Sequence, residues 1–191
     1  SIDSIIRGME NKGIPTFLIK WFHRCLLSRT ASATINNDKI TRYPTQGTAQ
    51  GGVGSPLAWN IGINDILLEL NKPPFTLVGF ADDLSYLVSG KDPNALVDLM
   101  QPMLNKIIEM GSAKGLKFNA SKTQVVLYTF KKFKPTKKLE IDGTPIDYSK
   151  GANYLGMFLD ERLTFSQHIN NKIKKCKNHL FALKSVIGQR W

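Results

Sequence analysis

Cysteine is scarce in this chain: Cys25 and Cys176 are the two among 191 residues. They lie far apart and in no paired motif, which argues against a disulfide framework and fits a reducing compartment. Histidine is nearly as rare, with three. His23 and Cys25, two apart on a predicted helix, do not share a face. Cys176 and His179, three apart on another helix, have no further partners, so neither pair makes a zinc site. No apolar run approaches the roughly 18 residues of a membrane-spanning helix, and no signal-peptide pattern opens the chain. Acidic residues are the third shortage. Asp and Glu total 15 against 26 Lys and Arg, a formal charge of +11. That excess calls for a polyanion, and without a membrane segment nucleic acid is the better partner. The 42% apolar content suffices for one substantial core but not for two independent domains. There is no internal repeat and no low-complexity tract.

The most informative stretch is Phe75 to Ser89, FTLVGFADDLSYLVS. Strand formers on both sides of a short polar tip predict a hairpin with Ala81-Asp82-Asp83 at its end. Alternation along a strand sends Asp82 and Asp83 to different sides. Two adjacent carboxylates repel, and a divalent cation offsets that repulsion. Oxygen-only ligands suit magnesium or manganese, and metals on paired carboxylates suit phosphoryl transfer. Taken alone, Asp-Asp at a hairpin tip is ordinary turn chemistry, so its surroundings must choose between the readings.

Upstream, Ser1 or Asp3 caps a first predicted helix with Ile2, Ile5, Ile6 and Met9 on one face. Asn11-Lys12-Gly13 ends it, and Pro15 opens a second. There Phe17, Trp21 and Cys25 form one row and Leu18, Phe22 and Leu26 the next, a broad face that predicts core packing. Thr30 to Ile35 and Lys39 to Thr45 predict a hairpin about Asn36-Asn37-Asp38. Its basic flanks Arg29, Lys39 and Arg42 suit either a phosphate backbone or a solvated edge strand. Gln46 to Gly54 holds four glycines and leads through Ser55-Pro56 into a helix ending near Asn71 to Pro74. A glycine loop at a helix N-terminus can cradle phosphate or a nucleotide, or be simply a loop.

Downstream, Pro93 to Lys114 predicts a long helix carrying Leu96, Leu99, Met103, Leu104, Ile107 and Met110. Gln124 to Phe130 reads as a strand following a turn that contains Lys122. Lys131 to Lys138, KKFKPTKK, is a basic linker that either touches nucleic acid or is solvated. Asp142-Gly143 predicts a hairpin turn, and Tyr154 to Leu159 a strand. The last helix places Ile169, Ile173, Leu180, Leu183 and Ile187 on one side, with Lys172, Lys174, Lys175 and Lys177 opposite. Strands flanked by long helices predict an α+β fold, an antiparallel sheet with helices packed on one face.

Phe80-Ala81-Asp82-Asp83 resembles the F/Y-x-D-D box of reverse transcriptases. Gly47 to Leu57 is similar to the family's G-x-P-Q-G-x-x-x-S-P-L segment, Asn119 to Thr123 to its N-x-x-K-T, and Tyr154-Leu155-Gly156 to its primer-grip Y-L-G. The boxes follow the family's order. Reverse transcriptases of non-LTR retrotransposons are most similar, with Y-L-G-x-x-L-D-x-x-L-x-F/W-x-x-H-I read here from Tyr154 to Ile169. Asp160, Leu163, Phe165 and His168 occupy its marked positions. Two positions depart: Ala49 stands for proline and Gly54 for leucine, which implies a looser loop.

The resemblance implies RNA-directed DNA polymerisation, with an RNA template, a DNA primer, deoxynucleoside triphosphates and magnesium or manganese. Asp82 and Asp83 would hold metal. Gln50, Gly51, Phe80 and Lys122 would meet nucleotide or template, and Tyr154, Leu155 and Gly156 the primer. It further implies a polymerase palm over residues 1–150, then a primer-grip strand and the start of a helical thumb over 151–191, in a nuclear protein. The family's third carboxylate precedes the first helix, on a strand, and triphosphate-binding fingers precede it too. Asp3 lacks such a strand and reads as a helix cap. The expectation is therefore a palm fragment, inactive alone, completed by fingers and thumb segments of the same polyprotein. A non-catalytic nucleic-acid-binding remnant of a mobile element is the competing expectation.

Overall fold

A computed structural model of the chain describes residues 1–131 and 135–187, with side chains through Lys184. Lys132, Phe133 and Lys134 of the basic linker and the side chain of Ile187 lie outside the described residues. Two compact units are present, Ser1–Lys91 with Leu99–Phe118, and Asp92–Asp98 with Asn119 onward.

In the first unit, helix α1 (Ile2–Asn11) starts at Ser1, whose hydroxyl accepts from the Ser4 amide at 3.2 Å. Asp3 lies in the first turn, where the helix dipole favours an acid, but Ser1 is the cap. Ile2, Ile5 and Met9 are buried. Helix α2 (Thr16–Leu27) buries only Ile19 and Leu26. The expected core row does not form: Phe17 is 70% exposed and Trp21 62%, and Cys25 is exposed. A helix buries one stripe against its neighbours, and the apolar residues of α2 run round more of the helix than that stripe can cover. The packed stripe is Ile19, Phe22 and Leu26.

Strands β1 (Ala31–Ile35) and β2 (Asp38–Arg42) pair about Asn36 and Asn37, both at positive φ as a tight hairpin turn requires. Every residue of this hairpin is exposed. Helix α3 (Ser55–Leu70) is the spine of the unit. Its first half packs Ala58 and Ile61 with Ile5, Met9 and Ile19. Close approach depends on Gly8, where a Cβ would lie 2.7 Å from the Ile61 side chain. The second half buries Ile66 and Leu70 with Leu77 and Ile107, each side chain contributing about 1.5–3 kcal/mol.

Leu77 belongs to β3 (Phe75–Phe80), which pairs with β4 (Asp83–Val88) in the register Leu77↔Tyr86 and Phe80↔Asp83. Ile107 belongs to α4 (Pro93–Ala113), whose start is capped by the Asp92 carboxylate, 3.0 Å from the Asn94 amide. Leu77, Leu84 and Tyr86 face the core formed with α3 and α4. The opposite face leaves Val78, Phe80 and Leu87 exposed. Lys106 of α4 pairs with Glu69 of α3 at 2.5 Å, and Lys114, just past the end of α4, with Asp65 of α3 at 2.6 Å.

The second unit holds β5 (Glu140–Ile141) and β6 (Thr144–Pro145) about Asp142-Gly143, then β7 (Gly151–Tyr154), β8 (Met157–Asp160) and α5 (Ser166–Ile187). Val97, Leu139, Ile141 and Ile146 are its buried apolar residues. Residues 124–130 form no strand. They touch the rest of the unit at separate points, where the Val125 carbonyl accepts from Ser149 at 2.8 Å and the Thr129 amide donates to Glu161 at 3.0 Å. Lys137 and Lys138 of the basic linker are paired with Asp98 and Asp147, each at 2.5 Å.

The fold is thus mixed helix and antiparallel strand, but the described strands make four two-stranded ladders rather than one sheet. Each described strand pairs only with its partner in the same hairpin. Helices packed on one face of an antiparallel pair are found at β3–β4, where α3 and α4 supply them.

Candidate active site

Asp82 and Asp83 are exposed at the tip of the β3–β4 hairpin. Asp83 opens β4 opposite Phe80, which is 58% exposed, while Asp82 sits in the turn outside the ladder. Ala81, just before them, has φ +50°, a left-handed value that costs an ordinary residue about 1–2 kcal/mol. Its carbonyl accepts from the Trp59 indole N–H on α3, so the turn is pinned from outside itself.

The glycine loop ends at the same helix. The Ala49 carbonyl accepts from the Ser55 hydroxyl at 2.6 Å and from the Gly52 amide at 3.1 Å. Gln50 is exposed in the bend between these anchors, with Gly51 at φ +80°. A Cβ on Gly52 would lie 2.7 Å from the Ser55 hydroxyl. Gly54 is different, with an ordinary φ of −83° and room for a side chain. Ala49, one of the two departures from the family pattern, therefore carries the anchoring carbonyl of the loop. Arg29 fixes its other end, donating to Leu26 and Gly47 carbonyls at 2.9 Å each. That is an intramolecular clamp, a use of Arg29 that sequence reasoning did not anticipate.

Ser55 and Trp59 are one helical turn apart, so adjacent turns of α3 hold the Gln50 loop and the Asp82-Asp83 tip. Sequence reasoning missed Ser55 and Trp59 as supports. The i, i+4 spacing of two polar-capable residues after the glycine loop was the available signal. The Trp59 partner, a carbonyl 22 residues away, left none. A cleft of about 270 Å³ is lined by Gln46, Gly47, Thr48, Trp59 and Lys114 among others. The two aspartates do not line it and stand on open surface. Among the described residues no group of three or more His, Cys, Asp or Glu side chains is placed to hold a metal ion.

In the second unit Lys122 is exposed in a turn organised by Asn119, whose side-chain oxygen accepts from the Ser121 amide at 2.9 Å. The Asn119 carbonyl accepts from Lys122 at 3.1 Å and Thr123 at 3.0 Å. Tyr154-Leu155-Gly156 is not inside one strand, as its sequence suggested. Leu155 and Gly156, at φ +48° and +81°, form the tip between β7 and β8. A two-residue turn with both centres left-handed matches strand twist, and it takes Y-L-G out of the ladder interior.

The base of that hairpin is tied to the connection that leads into α5. Asp160 accepts from the amides of Thr164 at 3.0 Å, Phe165 at 2.8 Å and Arg162 at 3.1 Å, and from the Thr164 hydroxyl at 3.1 Å. The Thr164 amide above all holds the Asp160 carboxyl below its usual range. Burial opposes this, and the Phe165 and remaining hydrogen bonds add to it. His168 accepts from the Phe158 amide at Nδ1, 3.1 Å away. Asp160 and His168, read from sequence only as pattern matches, thus have defined structural work.

A family profile described as reverse transcriptase (RNA-dependent DNA polymerase) matches residues 1–182. A Pol polyprotein of the type-1 retrotransposable element R1 from Nasonia vitripennis is 26% identical over 150 residues, covering 76% of this chain and 44% of that protein. A probable RNA-directed DNA polymerase from transposon BS of Drosophila melanogaster is 28% identical over 161 residues, 81% of this chain and 18% of its own length. The RNA-directed DNA polymerase from mobile element jockey of the same fly is 25% identical over 171 residues, 86% and 19% respectively. The chain spans less than half the length of these relatives.

Proposed function

From the premise that the chain belongs to the reverse transcriptase family, and resembles its non-LTR retrotransposon members, we propose that it carries the catalytic segment of an RNA-directed DNA polymerase. The observation that carries this reading is the bracket made by α3, which holds a glycine loop and an Asp-Asp tip one helical turn apart. In the intact enzyme Asp82 and Asp83 hold divalent metal. Their adjacent exposed carboxylates fit magnesium or manganese as part of a ligand set, with further oxygens required to complete it. Metal bound there supplies charge stabilisation to the attacking primer hydroxyl and the leaving phosphate oxygen. Gln50 and Gly51 orient nucleotide and template beside the tip, with Phe80 flanking Asp83. Lys122 meets the triphosphate, and the Tyr154-Leu155-Gly156 turn seats the primer. The palm over residues 1–150, the primer-grip strand and thumb start from 151, and nuclear action belong to the same proposal.

Two carboxylates with no third His, Cys, Asp or Glu grouped beside them among the described residues favour a second reading for the chain by itself, a nucleic-acid-binding segment without catalysis. Primer extension on poly(A)–oligo(dT) separates the two. The chain alone is expected to give no templated synthesis, and the same chain within its longer polyprotein to give synthesis that needs both aspartates. Extension by the chain alone would show that two carboxylates suffice. An inactive but folded polyprotein would leave the binding reading. In either case the +11 charge predicts RNA binding that weakens steeply with salt, because phosphate contacts release counterions. A flat salt titration would contradict it.

A further inference from the structure

Helix α5 carries a second pattern, which begins at Ile169 where the polymerase motif ends. Ile169, Ile173, Cys176, Leu180 and Leu183 follow one another at alternating steps of four and three, the seam of a coiled coil. In the folded chain this seam is open. Ile169 is 52% exposed, Ile173 47%, Leu180 63% and Leu183 52%, and Cys176 is exposed. The helix is anchored near its start through His168 to β8.

The residues beside the seam choose its occupant. In heptad terms Lys172 and His179 take the g positions and Lys177 and Lys184 the e positions, so Lys172 and Lys177 flank the seam rather than stand opposite it as the sequence suggested. A second copy would therefore set Lys172 against Lys177 in a parallel pair, and like against like in an antiparallel one. Nucleic acid is also a poor fit to the seam. Aliphatic side chains offer no ring on which a base can stack, and Lys174 and Lys175 point to the other side of the helix, away from the seam. What fits is apolar along the middle and acidic along both edges. We propose that the α5 seam docks a partner helix whose own seam is aliphatic and whose flanking positions carry Glu or Asp.

The test uses the full chain with Cys25→Ser, leaving Cys176 as the reporter thiol. Two synthetic helices of three heptads are added, identical at their aliphatic positions, one flanked by Glu and the other by Lys. The Glu-flanked helix is expected to bind at least tenfold more tightly and, at saturation, to slow alkylation of Cys176 at least tenfold. Ile173→Asn with Leu180→Asn should weaken that binding tenfold or more while circular dichroism stays unchanged, since both sites are exposed. Lys172→Glu, Lys177→Glu and Lys184→Glu together should reverse the preference. Equal binding of the two helices, or binding indifferent to Ile173 and Leu180, would overturn the proposal. So would a dimer in sedimentation that protects Cys176 without peptide, or protection by single-stranded RNA alone.

Discussion

The β3–β4 and β7–β8 hairpins share a plan and are secured at opposite ends. Both turn through two residues with at least one left-handed φ, at Ala81 in one and at Leu155 and Gly156 in the other. The first is pinned at its tip, where the Trp59 indole meets Ala81, and one face packs into a core through Leu77, Leu84 and Tyr86. The second is secured at its base by Asp160 and along β8 by His168, which binds Phe158, while its tip residues Leu155 and Gly156 stay exposed. A fixed tip suits groups that must hold ions in register, since small displacements are costly in such chemistry. A fixed base with an open tip suits a surface that meets a long, variable polymer.

Removing either carboxylate from the fixed tip tests that division most severely. In the longer polyprotein Asp82→Ala or Asp83→Ala should lower primer extension by more than the 10–100-fold typical of residues one shell out from a metal. Leu155→Ala, on the open tip, should act through primer affinity instead, visible as a raised half-saturating primer concentration. If both classes of variant behaved alike, the contrast between the hairpins would carry no functional meaning.

Trp59→Phe keeps the ring and removes the donor. It should cost about 1 kcal/mol in urea unfolding and hasten amide exchange at Asp82, leaving exchange at Gly156 unchanged. Uniform acceleration would mean that the indole bond supports the whole chain rather than the tip.

Acid should act on the other hairpin. The folded Asp160 carboxyl lies below its usual range, so its contribution is present above the unfolded value and lost as pH falls through the folded one. Below about pH 4 the Thr164 and Phe165 amides should lose protection. Asp160→Asn should remove most of this pH response, and a response that survives it would assign the effect elsewhere.

The smallest effect is expected in the packed hairpin. Among the described residues the Tyr86 hydroxyl is buried with no hydrogen-bond partner, and burial raises its pKa. Tyr86→Phe removes that orphan and should raise stability by up to about 1 kcal/mol in the same urea assay. A clear loss would reveal a partner for the hydroxyl.

Much of this was legible from residues alone. Strand formers about Ala81-Asp82-Asp83 gave the hairpin, Asp142-Gly143 its turn, and the spacing of Ile2, Ile5 and Met9 the first helix. Each signal is local, set by dihedral preferences and side-chain period within a few residues. Harder cases had competing local signals. Tyr154 to Leu159 looked like one strand because Leu155 and Met157 are apolar, and the turn became visible only from paired backbone. Phe17 and Trp21 looked like core because periodicity reports which residues share a face without saying whether anything covers it.

By itself, then, the sequence determined the membership in the family, the order of helices and hairpins, the excess of positive charge and the two adjacent carboxylates. Tertiary structure alone decided that α3 supports both the glycine loop and the Asp-Asp tip, that Arg29 serves the loop rather than solvent, and that the hairpins of the described residues stay unmerged. Those outcomes depend on a carbonyl finding a donor far along the chain, as Ala81 finds Trp59. Such pairings follow from how whole elements pack, and no local preference encodes them.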